Sequence, residues 1–183
     1  YALVKDEKGE EMHKSRGNAI RFEDAADKMG VDVMRWMYCR HDPAGNLHFS
    51  YAAGREIERT VFNTWRNVHA FFSEYARLDG FTPSEKSVPM DRRPDMDRWI
   101  LSSLHMLVGN ADRAYARYDV AAVVKAAEGF IDSLSNWYVR RNRRRFWRAM
   151  DGDDRDKVAA YQTLHEVLVT LCRVLAPIAP FLK

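Results

Sequence analysis

The chain has 183 residues, of which 46% are hydrophobic, so it can form one full domain with a sizeable core and part of another. Its formal net charge is only +3, which excludes a uniformly basic tail and makes local concentrations of charge the informative feature. The sequence contains no apolar run long enough to cross a bilayer and shows no signal peptide, so we expect neither a membrane protein nor a secreted one.

The first twenty residues contain the one strand that the sequence predicts. Residues 1–4 are apolar and compatible with a β-strand, and a turn signal follows at 6–9. Residues 11–18 are polar and predict an exposed loop. The next expected elements are two short helices, 22–29 and, capped by Asp32, 33–40. No strand pattern appears after residue 20.

Four long helices are predicted over the rest of the chain. Helical spacing of apolar residues and capping side chains give their expected bounds: 51–78 after Ser50, 95–117, 119–150 and 154–175. Residues 151–153 break the third of them, and Pro177 ends the last. Long helices joined by loops predict a mainly α fold, an antiparallel helix bundle. Because the chain opens on an apolar stretch and stops inside another, we expect a piece of a longer protein.

Residues 137–148 are the most informative stretch, since six of the twelve are arginine and none is acidic. Like charges three or four residues apart on a helix repel, so this composition is costly unless a polyanion lies against it. Arginine forks donate to phosphate, and tryptophan rings offer faces for base stacking. The stretch therefore predicts a nucleic-acid contact, with candidate residues Trp137, Arg140, Arg141, Arg144, Arg145, Trp147 and Arg148.

Helical geometry arranges these arginines in two rows. At about 100° per residue, Arg140, Arg144 and Arg148 form one row, and Arg141 and Arg145 form a second beside it. The opposite face is expected to be buried and consists of Val139, Phe146 and Met150. The alternative is a solvated basic face whose tryptophans lie against the bundle.

The loop at 11–18 is a second candidate site. It carries Lys14, Ser15 and Arg16 ahead of Gly17, and such a loop can close on a triphosphate and offset the charge that develops as pyrophosphate leaves. It is not a Walker loop, which needs Gly-x-x-x-x-Gly-Lys. Taken alone, an ordinary surface turn remains the simpler interpretation.

The two motifs together resemble the class I aminoacyl-tRNA synthetases. The loop, Glu-Met-His-Lys-Ser-Arg-Gly-Asn, resembles their Lys-Met-Ser-Lys-Ser signature, which typically continues with Lys-Gly-Asn. Residues 134–147 look like the anticodon-binding domain of isoleucyl-tRNA synthetases, and Asn-Trp-Tyr-Val-Arg-Arg distinguishes them from valyl and leucyl relatives. Residues 97–101 and 175–182 resemble two further landmarks of that domain.

The resemblance implies a fragment of a ligase that joins L-isoleucine to tRNA(Ile) with ATP and Mg²⁺. It implies three regions: the edge of the catalytic domain at 1–20, a stem-contact region at 21–50 and a truncated anticodon-binding bundle at 51–183. The family's His-Ile-Gly-His signature and nucleotide fold lie upstream of this kind of segment. We therefore expect the fragment alone to bind no cofactor and to have no catalytic competence.

The resemblance also implies roles within the loop. ATP-binding positions carried over are Met12, His13, Lys14 and Ser15, and Lys14 matches the lysine that stabilises the ATP phosphates during adenylate formation. Two positions depart from the signature, since Glu11 stands where the first lysine is expected and His13 where the middle serine is expected. Glu11 reverses a charge, whereas His13 keeps hydrogen-bonding capacity.

The cysteines and histidines add no metal site. Cys39 and Cys172 lack the paired spacing of metal ligands, so neither a zinc site nor a disulfide framework is predicted. His41 and His48 flank a turn near Cys39 in a spacing that matches no standard site, and we assign no metal. Free cysteines favour a reducing compartment, which we expect to be the cytoplasm.

Two other function classes stay open on the sequence alone. One is a stand-alone helical RNA-binding module, and the other is an interaction bundle whose arginines face an acidic protein. A fragment of a valyl or leucyl enzyme is a third alternative within the same family. The leading interpretation implies tRNA(Ile), ATP and L-isoleucine as partners, and neither a membrane nor a protein partner.

Overall fold

The computed structural model describes residues 3–83, 87–149 and 154–182. Most of these residues are helical, and helices of the second half pack side by side around one apolar core. The expected break at 151–153 and the expected burial of Met150 lie outside the described residues. Within the described ranges, no helix is both long enough and apolar enough to cross a membrane.

Two short strands pair near the start of the fold. Val4–Lys5 (β1) runs parallel to Leu47–His48 (β2), with Val4 opposite Leu47 and Lys5 opposite His48. The prediction of no strand after residue 20 is therefore wrong. A two-residue strand is too short to show an alternating pattern, and β2 exists only because β1 offers it an edge.

Two short helices follow the loop at 11–18, called the signature loop from here on, as predicted. They are α1, Phe22–Met29, and α2, Val31–Arg40. The expected cap of α2 is wrong, because this helix begins at Val31 and Asp32 lies within its first turn. The Asp32 carboxylate instead accepts a hydrogen bond from the backbone N–H of Phe181 at 3.3 Å, which links α2 to the end of the described chain.

The first long helix is continuous but contains a wider segment. It comprises α3, Tyr51–Ile57, a π segment, Glu58–Phe62, and α4, Asn63–Leu78. Ser50 caps it as predicted, since its hydroxyl accepts from the backbone N–H of Ala53 at 3.2 Å.

The remaining helices also begin close to their predicted positions. They are α5, Asp95–Tyr115; α6, Val120–Ser133; a second π segment, Leu134–Val139; α7, Arg140–Trp147; and α8, Arg155–Leu175. Asp119 caps α6 by accepting from the N–H of Ala122 at 3.1 Å. Asp154 caps α8 in the same way, with the N–H of Lys157 at 3.0 Å. These contacts confirm two predicted helix starts.

The inner face of α7 is fixed by an aromatic cluster. The Phe146 ring lies 5.1 Å, centroid to centroid, from both Phe71 on α4 and Tyr161 on α8, edge to face in each case. Val139 and Phe146 are buried, as predicted. Truncating a buried phenylalanine typically costs about 3–5 kcal/mol, so this cluster anchors the arginine-rich helix to the bundle.

Candidate nucleic-acid interface and phosphate loop

The outer face of α7 carries four exposed arginines: Arg140, Arg141, Arg143 and Arg144. None of their guanidinium groups forms an ion pair or hydrogen bond with another residue in the described part of the chain. A cluster of unpaired like charges raises the local positive potential and attracts a polyanion.

Two tryptophans flank these arginines. Trp137 is 54% exposed and Trp147 is 56% exposed, so both offer ring surface to solvent. The guanidinium carbon of Arg141 lies 5.8 Å from the centroid of the Trp137 ring, within the range of a cation–π contact. The two tryptophans are ten residues apart, which corresponds to about 15 Å along the helix axis. The alternative in which Trp137 packs inside the bundle does not fit this exposure.

The π segment before α7 sets the direction of these side chains. Four buried residues recur every four positions along this face: Leu134, Tyr138, Asn142 and Phe146. In a regular α-helix such a row drifts by about 40° per step and would rotate away from the bundle. The wider turns at Leu134–Val139 reduce that drift, so the row stays inside and Trp137 stays outside. No local sequence signal predicted this segment.

Arg145 is the one candidate that the structure turns inward. Its guanidinium donates to both carboxylate oxygens of Asp97, at 2.7 and 2.9 Å, and to the backbone oxygen of Asp156 at 2.7 Å. The Asp97 side chain is 0% exposed and that of Arg145 only 13%. The predicted row of Arg141 and Arg145 is therefore wrong. Because both oxygens of the Asp97 carboxylate already engage the Arg145 fork, this guanidinium is not free to bind a phosphate in the same way.

The surroundings of this ion pair shift two pKa values. Burial alone would lower the pKa of Arg145, but the hydrogen bonds and charge of Asp97 outweigh burial and raise it. The Tyr138 hydroxyl donates to Asp97 at 2.8 Å, and burial together with the Asp97 charge raises the pKa of Tyr138 well above its usual value. Arg145 is thus a fixed cation and Tyr138 a fixed donor at any ordinary pH.

Arg148 lies at the end of α7 and is partly neutralised. Its side chain is exposed, but its guanidinium lies 3.4 Å from a carboxylate oxygen of Asp154 and 3.2 Å from one of Asp156. Exposed pairs of this kind are weak, about 0–1 kcal/mol, so a phosphate can compete for Arg148. Arg148 remains a candidate, but nearby carboxylates partly offset its charge, unlike the charges of the four exposed arginines of α7.

The signature loop presents its polar residues to solvent. Lys14–Arg16 forms a single 3-10 turn that ends at Gly17, whose φ of +69° favours glycine. The side chains of Lys14, Ser15 and Arg16 are exposed and form no hydrogen bond or ion pair with any other described residue. Met12 is half-buried against the core and so anchors the loop from below.

Glu11 and His13, the two residues that depart from the signature, contact each other. His13 Nε2 lies 3.4 Å from Glu11 Oε2, and both side chains are about half exposed. The Glu11 carboxylate therefore has a partner within its own loop, the His13 side chain.

Asn18 holds this loop in shape. Its Nδ2 donates to Asp6 Oδ2 at 2.9 Å and to the backbone oxygen of Glu11 at 3.1 Å, and its Oδ1 accepts from the N–H of His13 at 2.9 Å. The hydrogen bond from Asn18, followed by one from the Glu10 backbone, lowers the pKa of Asp6. Sequence pattern and composition did not identify Asn18 and Asp6 as loop-stabilising residues, because neither reveals a side-chain pair twelve residues apart.

Asp97 was also missed, although a signal was present. It falls in helical register with the buried residues Ile100, Leu101 and Leu104, so an acidic side chain lies on the apolar face of α5. A buried carboxylate needs a cation, and the arginine-rich helix supplies it.

The two candidate sites lie on separate elements. No hydrogen bond or ion pair joins residues 11–18 to 137–148 within the ranges that the structure describes. Over the same ranges, no group of three His, Cys, Asp or Glu side chains could hold a metal ion.

Comparison with known proteins places both candidate sites in matched regions. Residues 97–182 match the model of the anticodon-binding domain of tRNA ligase. Residues 1–50 match that of the class I tRNA synthetases for I, L, M and V.

Three relatives with similar sequences carry the same name. The chain is 45% identical over 179 residues to isoleucine–tRNA ligase of Dehalococcoides mccartyi strain 195, which covers 97% of this chain and 17% of that protein. It is 43% identical over 182 residues to the ligase of Porphyromonas gingivalis, covering 98% and 16%. With the ligase of Thermus thermophilus it shares 41% over 185 residues, covering 100% and 17%. The chain thus spans about a sixth of these relatives' length.

Solved structures share the fold at low identity. The LeuRS-tRNA-LeuAMS complex of Agrobacterium radiobacter K84 superposes with a TM-score of 0.72 at 19% identity, over 99% of this chain and 20% of that chain. Methionyl-tRNA synthetase of Mycobacterium tuberculosis, in complex with methionyl-adenylate, gives 0.70 at 22%, over 95% and 34%. At this identity the likeness concerns the fold alone.

Proposed function

Because the chain belongs to the class I aminoacyl-tRNA synthetases, we propose that it is the segment of an isoleucine–tRNA ligase that binds the anticodon arm of tRNA(Ile) and supplies one loop of the ATP site. The protein that contains it activates L-isoleucine with ATP and transfers it to tRNA(Ile) in the cytoplasm. The observation that carries the proposal is the group of exposed arginines on α7 between two exposed tryptophans; these arginines have no ion pair or hydrogen bond with any residue that the structure describes.

The chemistry of α7 suits a single-stranded RNA loop. Exposed guanidinium groups donate forked hydrogen bonds to phosphate oxygens, and the Trp137 ring offers a face to an unstacked base. Arg141 against the same ring keeps a cation beside that face. An acidic protein would use the arginines but would leave the two tryptophan faces without a role.

The signature loop suits a triphosphate. Lys14 and Arg16 supply two exposed cations that have no partner among the described residues, and Ser15 adds a hydroxyl within the same turn. In the proposed reaction the isoleucine carboxylate attacks the α-phosphorus of ATP, held as its Mg²⁺ complex, and pyrophosphate leaves. Lys14 stabilises the charge that develops on the departing phosphates.

The division of the chain follows from the same proposal. Residues 1–20 form the edge of the catalytic domain, 21–50 the stem-contact region and 51–183 the anticodon-binding bundle. Two observations support the boundary at residue 50: the region that matches the class I tRNA synthetase model ends there, and Ser50 caps the first long helix.

Salt-dependent tRNA binding tests the proposal. If four arginines of α7 neutralise four phosphates, log K for tRNA(Ile) falls with log salt concentration with a slope of about −3. The measurement is a titration of the chain with labelled tRNA(Ile) at several salt concentrations. A tRNA with an altered anticodon loop is the control and should bind more weakly at every salt concentration. An affinity that does not change with salt would contradict the proposal.

Charging assays separate the remaining alternatives. The full-length protein should attach isoleucine, and neither valine nor leucine, to tRNA(Ile). Preference for another amino acid would transfer the proposal to a sister enzyme. Binding of acidic protein in place of tRNA would favour the interaction-bundle hypothesis.

A further inference from the structure

We propose that Arg145 and Asp97 are positioning residues for tRNA recognition: their ion pair fixes the orientation of α7 and does not touch the RNA. The inference rests on the proposed function of α7. It assigns to Arg145 a role opposite to that of its neighbour Arg144, although the two residues are adjacent in the same basic stretch.

Geometry is the first step. Both oxygens of Asp97 accept from Arg145, and Oδ1 also accepts from the Tyr138 hydroxyl. Arg145 additionally donates to the side-chain oxygen of Asn142 at 3.1 Å. The carboxylate on α5 is therefore bonded to the π segment and to α7 at once, which restricts both rotation and sliding of α7 against α5.

Charge is the second step. Between residues 140 and 148 no acidic side chain offsets the arginines, so the counter-charges must come from other helices. Asp97 supplies one from α5, and Asp156 supplies another from α8, 2.9 Å from Arg145. The ion pair thus holds a self-repelling helix in contact with two neighbours.

The end of α7 has its own restraint. The backbone oxygen of Arg148 accepts from the Nζ of buried Lys157 at 2.5 Å, and Lys157 in turn pairs with Asp79 at 2.5 Å. The helix is therefore fixed near its start by Tyr138 and at its end by Lys157, with Arg145 between them.

The consequence concerns the outer face. A rigid α7 presents Arg140, Arg141, Arg143 and Arg144 at set positions before RNA arrives, so less ordering is needed on binding. If Asp97 is neutralised, these arginines keep their charge but lose their fixed arrangement.

Simple electrostatics and the positioning role predict opposite results for one variant. Asp97→Asn removes a negative charge near the RNA face, which by charge alone strengthens tRNA binding. Positioning predicts weaker binding. In the full-length protein we expect the KM for tRNA(Ile) in Asp97→Asn to rise about tenfold, with kcat and isoleucine-dependent pyrophosphate exchange unchanged.

Asp95→Asn is the matched control. Asp95 lies two residues earlier on α5, its side chain is 92% exposed, and it pairs only with Arg98 among the described residues. Its neutralisation changes the charge by the same amount without touching α7. We expect an unchanged or slightly lower KM for tRNA. If Asp97→Asn behaves like Asp95→Asn, the positioning role is wrong.

The salt slope separates positioning from phosphate contact. Arg145→Lys keeps the charge and loses the fork, and we expect weaker tRNA binding with an unchanged slope of log K against log salt. Arg144→Ala should reduce the magnitude of the slope by about 0.7–0.9. In Arg145→Ala, which removes the charge, the slope should also be unchanged; a slope reduced by as much as in Arg144→Ala would mean that Arg145 contacts phosphate, which contradicts the inference.

Two further measurements distinguish a failure of the positioning role from a failure of the proposed function. If Asp97→Asn loses helix content, Tyr138→Phe decides, since it removes one hydroxyl from the same carboxylate, and its KM for tRNA should rise about threefold. An unchanged KM there overturns the positioning role. If neither Asp97→Asn nor Arg144→Ala changes tRNA binding, the proposed function of α7 is wrong. If Arg144→Ala weakens binding and Asp97→Asn does not, only the positioning role is wrong.

Discussion

The side chain of Asn18 ties the loop at 11–18 to Asp6 in the turn after β1, because its Nδ2 donates to Asp6 at 2.9 Å while its Oδ1 accepts from the backbone N–H of His13 at 2.9 Å. Asp6 is itself fixed by the N–H groups of Lys8 and Glu10, at 3.0 and 2.9 Å. The loop that carries Lys14 is thus tied to the turn after β1 and not merely tethered at its ends.

Loss of that amide should loosen the loop. Asn18→Ala removes three hydrogen bonds, each with a net value of about 1 kcal/mol, and we expect pyrophosphate exchange in the full-length protein to slow about tenfold or more. Hydrogen exchange at the His13 amide should become faster. Asn46→Ala is a useful control, since it removes a hydrogen bond to Leu3 outside the loop. Unchanged exchange at His13 would contradict the predicted role.

The exposure of Trp137 predicts a binding effect without a folding effect. Trp137→Ala should weaken binding of an anticodon-loop RNA by about 1–3 kcal/mol and leave binding of duplex RNA almost unchanged. The melting temperature should change little, because the ring is half exposed. Trp99→Ala provides the matched control, since Trp99 is 41% exposed and lies on α5, outside the arginine-rich stretch. Equal losses for both RNAs would instead indicate a structural role.

Asp79 predicts a specific loss of stability in acid. Burial acts to raise the pKa of Asp79, but hydrogen bonds from Lys157 and Tyr161 outweigh it and lower the pKa. A carboxyl group with a depressed folded-state pKa stabilises the fold above its unfolded value of about 3.9, and this contribution disappears as pH falls through the folded-state value. Asp79→Asn should therefore be less stable than the parent at pH 7 and should lose less stability on acidification.

Urea unfolding of the chain at a series of pH values measures this effect. At pH 7 we expect a loss of about 3 kcal/mol, because the substitution leaves buried Lys157 without its carboxylate partner. Asp91→Asn is the control, since Asp91 is exposed, and its stability curve should follow that of the parent. Parallel acid limbs for Asp79→Asn and the parent would show that this carboxylate does not govern acid stability.

Local signals predicted most of the fold. Ser50, Asp119 and Asp154 are capping residues whose partners lie three positions ahead, so sequence pattern alone places these helix starts. The strand Leu47–His48 and the cap of α2 were predicted wrongly, because each depends on a partner more than forty residues away.

Long-range contacts limited the prediction of the candidate site in the same way. Composition identified residues 137–148 as a nucleic-acid contact, a role that stays a prediction. It could not show that Arg145 turns inward, since its partner Asp97 lies 48 residues away and the π segment changes the register between them. Helical geometry at a uniform 100° per residue treats adjacent arginines alike, whereas buried carboxylates on neighbouring helices distinguish them.

Lys14 should act on adenylate formation and not on tRNA binding. Its ammonium group is exposed and has no partner among the described residues, so it is available for the phosphates of ATP. The acidic residue of the loop, Glu11, pairs with His13 and forms no ion pair with Lys14. Removal of a cation that stabilises developing charge typically slows a reaction by about 10²–10³.

Lys14→Ala in the full-length protein should therefore slow isoleucine-dependent pyrophosphate exchange by this factor with an unchanged affinity for tRNA(Ile). Lys8→Ala, which removes an exposed lysine from the preceding turn, should leave exchange unchanged, and Arg144→Ala should affect tRNA affinity alone. If Lys14→Ala exchanges pyrophosphate at the parental rate, residues 11–18 form an ordinary surface turn with no role in adenylate formation.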